Sequence, residues 1–212
     1  MKSRTRTLFS SETGKASSPT VRSKTEEREA TYQDDPRLGG IAVLDRLLAD
    51  TAILSFQALS MHWNYSGPEF LAYHTFFEKR YQRLVRAIDR VAERIRALGA
   101  LAPAGFSEWM ELSDLEDIPL AAFERMPAKP SINPPSETVS AISLYLEAEE
   151  LVRDYLMRTA LPRIQELDDP VTQDILVSRL NDHEKTIWII NSLLGRPVIR
   201  SEEYERKPRE AA

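Results

Sequence analysis

The chain has 212 residues, 42% of them hydrophobic, which is enough for one sizeable domain with tails. No run of eighteen or more apolar residues occurs, so no membrane-spanning helix is expected, and without cysteine both disulfides and thiolate metal sites are excluded. A net charge of −5 argues against a body that attracts nucleic acid by charge alone, and any bound metal must be held by nitrogen and oxygen.

Residues 1–24 carry Lys2, Arg4, Arg6, Lys15, Arg22 and Lys24 against the single acid Glu12, with little apolar matter to bury. That composition predicts a disordered basic arm able to attract phosphate backbones. It lacks the apolar stretch of a secretory signal, although an organelle transit peptide shares its Arg/Ser-rich character. An acidic bridge follows at residues 25–37. From 39 to 65, Ile41, Leu44, Leu48, Ala52, Phe56 and Leu59 recur at helical spacing, with Leu47, Ile53 and Leu54 widening the stripe. Gly67-Pro68 breaks this first helix and opens a second, over 69–98, with Phe70, Phe77, Tyr81, Leu84, Ile88, Val91 and Ile95 on one face and Gly99 as its stop. Six prolines between 100 and 135 forbid a long helix there, though 106–112 can form a short one. A third helix is expected from Ser136 as N-cap, with Val139, Ile142, Tyr145, Leu146, Leu151 and Val152 inward, kinked or ended by Pro162. The fourth follows Asp169-Pro170 and runs to Leu194 through Ile175, Leu176, Leu180, Ile187, Trp188 and Ile190, with Gly195 as its stop. Residues 196–212 read as a polar tail. The expected organisation is an arm (1–37), a helical bundle (38–195) and that tail.

Only three histidines occur, and two of them, His62 and His74, flank the turn between the first two helices. On the second helix His74 and Glu78, and again Asp89 and Glu93, form i, i+4 pairs in which the two side chains stand one above the other. Glu78 and Asp89 return to nearly the same face but lie about 16 Å apart along the axis, too far to share an ion on one straight helix. The two pairs therefore serve different sites, or join through a second copy. Two such helices running antiparallel about a two-fold axis would bring His74 and Glu78 of one to Asp89 and Glu93 of the other, with His62 as a second imidazole. Taken singly, each of these residues also reads as a structural histidine or a solvated acid. The third histidine, His183, has no matching cluster in sequence and reads as structural.

The stretch His62-Trp63-Asn64-Tyr65-Ser66-Gly67-Pro68, followed by Phe70, His74, Glu78, Asp89, Glu93, Arg94 and Gly99, resembles the Dps family of ferritin-like proteins, with a weaker likeness continuing to His183–Trp188. The resemblance covers roughly residues 38–195. It implies an all-α, ferritin-like four-helix bundle with a short helix in the long crossover between helices two and three. It also implies a cytoplasmic dodecamer of two-fold dimers. In that family the first three ligands come from one subunit and the last two from its mate, so the implied metal ligands here are His62, His74, Glu78, Asp89 and Glu93. The implied activity is that of a ferroxidase: Fe(II) is oxidised by hydrogen peroxide, or less readily by oxygen, at a di-iron site with no organic cofactor. Ferric mineral is then stored, and DNA is protected. Trp63, beside a ligand, either takes up oxidising equivalents or packs on the dimer mate. Family pores are lined by acids near the start of helix four, where Asp169 and Asp174 match and Ser178 departs; Asp174 reads equally as a solvated acid. Several members bind DNA through terminal Lys/Arg tails, which makes non-specific DNA compaction through residues 1–24 the alternative function. A third possibility, a bundle for another metal such as a manganese catalase-like enzyme, is disfavoured because no Glu-x-x-His motif occurs.

Overall fold

Apolar residues at helical spacing on four long segments require four rods that bury their stripes against one another, and a computed structural model shows that arrangement. It describes residues 36–67, 69–124 and 140–196; the basic arm, Pro68, the Lys129–Pro135 stretch, the expected cap Ser136, Val139 and the tail past Arg196 lie outside them. The helices are α1 (Pro36–Asn64), α2 (Phe70–Ala97), α3 (Phe106–Leu112), α4 (Ala121–Glu124), α5 (Ala141–Tyr155), α6 (Leu161–Glu166) and α7 (Pro170–Leu193). Among the described residues there is no strand, and no helix is long and apolar enough to cross a membrane.

The rods α1, α2, α7 and α5 form a ring in which each packs on the next and α5 closes on α1. Side-chain pairs fix their directions. Arg80, Arg90 and Arg94 of α2 meet Asp182, Asp174 and Asp169 of α7 in reverse order, so α2 and α7 are antiparallel. Phe77 meets Tyr145, and Arg80 meets Glu149, in the same order, so α2 and α5 are parallel across the core. Leaving the end of α2, the chain must therefore travel back along the bundle, about 40 Å at 1.5 Å per residue, before α5 can begin. Helices α3 and α4 lie in that crossover, one more short helix than the sequence suggested. The returning segment is tied to α1 by Ser113 Oγ donating to Asp50 Oδ1 (2.7 Å) and Gln57 Nε2 donating to the carbonyl of Glu116 (2.8 Å). Burial raises the Asp50 carboxyl, against the opposing pull of Ser113 and Arg46.

Packed on α2, α5 and α3, helix α1 is buried over most of its surface, including Ile41, Leu44, Leu48 and Leu54. Phe77, Leu84, Val91 and Ile95 are buried on α2, and Ile142, Tyr145, Leu146 and Val152 on α5. Four residues expected inward are instead exposed. Phe56 stands at the edge of α1 against the Phe106 ring (5.3 Å between centroids), and Phe70, Leu151 and Trp188 lie on outer faces of their helices. Helix α5 starts at Ala141, capped by Ser140, whose hydroxyl accepts from the Ser143 amide. Pro162 does not end it. A single π turn, Leu156–Ala160, widens the helix just before the proline, and the Leu161 amide bonds back to Leu156. That wider turn leads the rod past the residue that lacks an amide hydrogen, so α6 continues it. Gly99 and Gly195, both at positive φ (97° and 66°), stop α2 and α7 as expected.

The seam between α2 and α7 is ionic where the α1–α2 seam is apolar. Asp169 caps α7, accepting from the Thr172 amide (3.0 Å), and both of its oxygens receive Arg94 Nη2 at 2.8 Å. Burial alone would raise this carboxyl, but the bonds from Thr172 and Arg94 hold it below the usual range. Asp174 pairs with Arg90 at 3.0 Å in the open. The two acids expected at a pore thus lie in arginine pairs within one chain. Asp169→Ala is expected to lower unfolding stability by about 1–2 kcal/mol, as loss of a bonded cap does. Asp174→Ala should cost no more than about 1 kcal/mol, as for exposed ion pairs. Denaturant unfolding of the two variants side by side checks both values.

Candidate metal centre

The turn between α1 and α2 decides which residues face each other. Asn64 ends α1 with its amide bonded back to the Ser60 carbonyl (3.0 Å), and Tyr65 and Tyr73 stack across the turn (4.4 Å). Gly67 at φ 136° and Glu69 at φ 59° reverse the chain, the latter in the left-handed region that a non-glycine residue enters only at a cost. Helix α2 therefore starts back along α1 with His74 beside His62.

The two imidazoles are bound reciprocally. His62 Nδ1 lies 3.0 Å from the His74 carbonyl oxygen, and His74 Nδ1 lies 2.9 Å from that of His62. A carbonyl can only accept, so both Nδ1 atoms carry the hydrogen, and in a neutral ring Nε2 keeps its lone pair. Histidines that hold metals are commonly fixed in this way, through the nitrogen that does not bind. The rings stack 3.9 Å apart at 21°. Phe70 covers His74 (5.0 Å), and Tyr81 meets His62 edge-on (5.6 Å), so neither ring is free to turn.

Glu78, one turn beyond His74, is half-buried, while Asp89 and Glu93 are exposed further along α2. Among the described residues none pairs with these three carboxylates. Trp63 is 68% exposed and makes no ring contact with His62 among the described residues. No three His, Asp or Glu side chains among the described residues of one chain come together closely enough to hold an ion. His62 and His74 are brought together; Asp89 and Glu93 remain apart from them on the same rod. Two imidazoles whose Nδ1 atoms are committed to carbonyls, with a carboxylate one turn away, suit iron, zinc or manganese through Nε2 and leave coordination positions for further oxygen donors.

A second polar cluster lies in the bundle core and holds His183, which is buried and bonded there as a structural residue. The guanidinium of Arg80, fully buried, donates Nε to Glu149 Oε1 and Nη2 to Glu149 Oε2, both at 2.8 Å, and Nη1 to Asp182. Tyr145 donates to Glu149 Oε1 at 2.6 Å. His183 Nδ1 donates to Glu149 Oε2 at 2.6 Å, and its Nε2 accepts from Arg179 Nη2 at 2.9 Å, which leaves the ring neutral. Two arginines balance two carboxylates. Burial pushes the His183 imidazole down to about 4, and Arg179 adds to that effect. Burial would raise Glu149, but Arg80 with His183 overcomes it and brings the carboxyl to about 2. The signal in sequence was positional: Arg80 lies three residues from Phe77 and four from Leu84, Glu149 three from Leu146 and Val152, and His183 four from Ile187, all on the inward face.

Both shifts act in one direction. The unfolded chain takes up a proton on His183 near its ordinary 6.5 that the folded chain refuses until about 4, so this contribution is complete above pH 6.5 and is lost as pH falls toward 4. Glu149 adds a second loss between its ordinary 4.5 and about 2. Unfolding stability measured between pH 6.5 and 4 is expected to fall, and His183→Gln to show a shallower slope over that window. Glu149→Gln at neutral pH should cost about 3–5 kcal/mol, because it strands Arg80 in the core.

Comparison with known proteins agrees with this architecture. The ferritin-like domain family matches residues 41–197. The DNA protection during starvation protein of Porphyromonas gingivalis is 30% identical, over 70% of this chain and 84% of that protein. DNA protection during starvation protein 2 of Bacillus anthracis is 28% identical over 74% of this chain and 97% of its own. Of solved structures, DpsC from Streptomyces coelicolor superposes with a TM-score of 0.65 at 30% identity, over 78% of this chain and 90% of that one. With a ferritin-like domain filling the bundle and starvation-protection proteins matching it over most of their length, the chain belongs to the Dps family of ferritin-like proteins.

Proposed function

We propose that this protein stores and detoxifies iron, oxidising Fe(II) at sites completed by two copies of the chain and retaining the ferric product inside a closed dodecamer. The observation that carries this reading is the reciprocal bonding of His62 and His74, which commits both Nδ1 atoms to carbonyls and leaves both Nε2 atoms for a metal. Within this reading His62, His74 and Glu78 form one half of each site, and the other half is Asp89 and Glu93 of the neighbouring copy. That division follows from the roughly 16 Å along α2 between Glu78 and Asp89. It also gives a use to three carboxylates that no described residue neutralises.

The chemistry asked of these residues is modest. Neutral imidazoles bind ferrous ion without adding charge, and carboxylate oxygens favour the more highly charged ferric product, so the mixed set lowers the cost of losing an electron. With hydrogen peroxide as oxidant, each of two ferrous ions gives up one electron. The O–O bond breaks, and two protons complete two waters, so that no hydroxyl radical is released; oxygen serves as the slower oxidant. Trp63, exposed beside His62, is placed in sequence to take up a stray oxidising equivalent. Protection of DNA, the role named for the relatives, follows from removing ferrous iron and peroxide together.

Glu78→Ala and Asp89→Ala should each abolish fast iron oxidation at the shared sites. When the two variants are dissociated and reassembled together, random pairing gives half the dimers one chain of each kind. Each such dimer has one intact site and one doubly broken site, so about a quarter of the sites return. Mixed dimers, confirmed by mass, that oxidise iron no faster than either parent would refute the two-chain assignment.

A second reading rests on the six basic groups and single acid of residues 1–24. Many copies on one shell would hold duplex DNA weakly, without sequence preference, against the repulsion of an acidic body. Retention is expected at low salt and should be lost well before roughly 0.5 M, as counterion release requires. Deleting residues 1–24 should abolish it and leave iron oxidation intact; equal retention by the truncated shell would remove the arm from the account.

A further inference from the structure

The core cluster has the composition of a cation site with a guanidinium in it. Two helices supply its donors: Glu149 from α5 and Asp182 and His183 from α7 surround Arg80 from α2. Both Glu149 oxygens lie 2.8 Å from Nε and Nη2, Asp182 Oδ2 takes Nη1, and His183 Nδ1, whose hydrogen goes to Glu149, lies 3.3 Å from Nη2. Oxygen and imidazole nitrogen from Glu, Asp and His are also the donors that divalent first-row ions accept. Arg80 follows His74 by six residues, about 9 Å along α2, so the cluster lies close to the imidazole pair. Asp182 is the member that reaches solvent, at 21% exposure, beside Arg83.

We propose that Arg80 is an internal cation filling a carboxylate–imidazole cage in the bundle core, and that its presence keeps divalent metal out of the core. A planar guanidinium spreads its partners around its edges, which accords with no three His, Asp or Glu among the described residues converging on a point. It cannot dissociate, and it cannot change oxidation state. Of the two carboxylates in the cluster, Glu149 depends on it most, with both oxygens on Arg80 and no other positive charge bonded to it while His183 is neutral. Without Arg80 the cluster carries one uncompensated negative charge in a water-poor core, which favours uptake of another cation. That iron is thereby confined to the subunit boundary rests on the proposed function above; the cage itself does not.

The test is anaerobic equilibrium dialysis of the assembled protein against Co(II). Arg80→Ala should bind about one additional ion per chain over wild type, since removal of the built-in charge leaves a site that only a metal can neutralise. The gain should vanish in Arg80→Ala/Glu149→Gln and Arg80→Ala/His183→Gln, persist in Arg80→Ala/His74→Ala, and be absent in Arg80→Met, whose side chain fills the space without charge. Guanidinium chloride at low millimolar concentration should compete with the added cobalt. Because His74→Ala removes only the boundary ligand, failure of the cage and failure of the boundary site read out separately. Should Arg80→Ala be too unstable to assemble, Co(II) or guanidinium is expected to recover its fold, or to raise its melting temperature by more than it shifts that of wild type. A folded Arg80→Ala protein with the wild-type cobalt count, extra cobalt that survives Glu149→Gln, or an unfolded variant that neither cation recovers would each overturn the proposal.

Discussion

The fork between Arg80 and Glu149 sets the register of the bundle. A core of leucine and isoleucine alone tolerates small slides between helices, but a buried guanidinium and carboxylate separated by one helical turn would each be left unpaired, at a cost of several kcal/mol. Pairing Arg80 with both oxygens of Glu149 fixes α2 against α5, and the bond from His183 to the same carboxylate fixes α7 against both. The arginine–aspartate pairs farther along α2 and α7 then fall into step. An apolar replacement of equal volume could prove as stable; what the charged cluster adds is a single arrangement.

That register has a consequence at the other end of α2. With the helix held lengthwise, the turn from Tyr65 to Glu69 needs only to reverse the chain for His74 to come level with His62, and the two rings then satisfy each other's carbonyls. Charge is sorted along the same rod. Arginines at 80, 90 and 94 face α7 and take up its aspartates, whereas Glu78, Asp89 and Glu93 have no basic partner among the described residues. A single helix thus commits three of its arginines to the bundle while these three carboxylates have no basic partner among the described residues.

The rods were legible because apolar residues return every three or four positions and because Gly99 and Gly195 mark where two of them stop. Less legible was anything decided by a neighbour. Ser140 caps α5 through its bond with the Ser143 amide, which nothing in the sequence ahead of the apolar run marks out. Pro162 reads as a kink or an end, and one wide turn carries the helix past it. Phe56, Phe70, Leu151 and Trp188 keep the helical spacing of the apolar stripes and are nevertheless exposed. At the candidate site, rare histidines and carboxylates four apart could be read directly, while the carbonyl bonds that settle the imidazole tautomers depend on how the turn closes. Arg80 is hard to read as a core residue because charged residues usually lie in water, although its spacing from Phe77 and Leu84 puts it on the buried face.

The central claim is that the imidazole pair of one chain and the distal carboxylates of another form the same iron site. Anomalous diffraction from crystals of the assembled protein, soaked anaerobically in Fe(II), tests it most directly. Iron density is expected about 2.0–2.2 Å from Nε2 of His62 or of His74, with Asp89 or Glu93 of a neighbouring copy at similar range. Iron bound to Nδ1, or bound by one chain with no carboxylate from a second, would contradict the account.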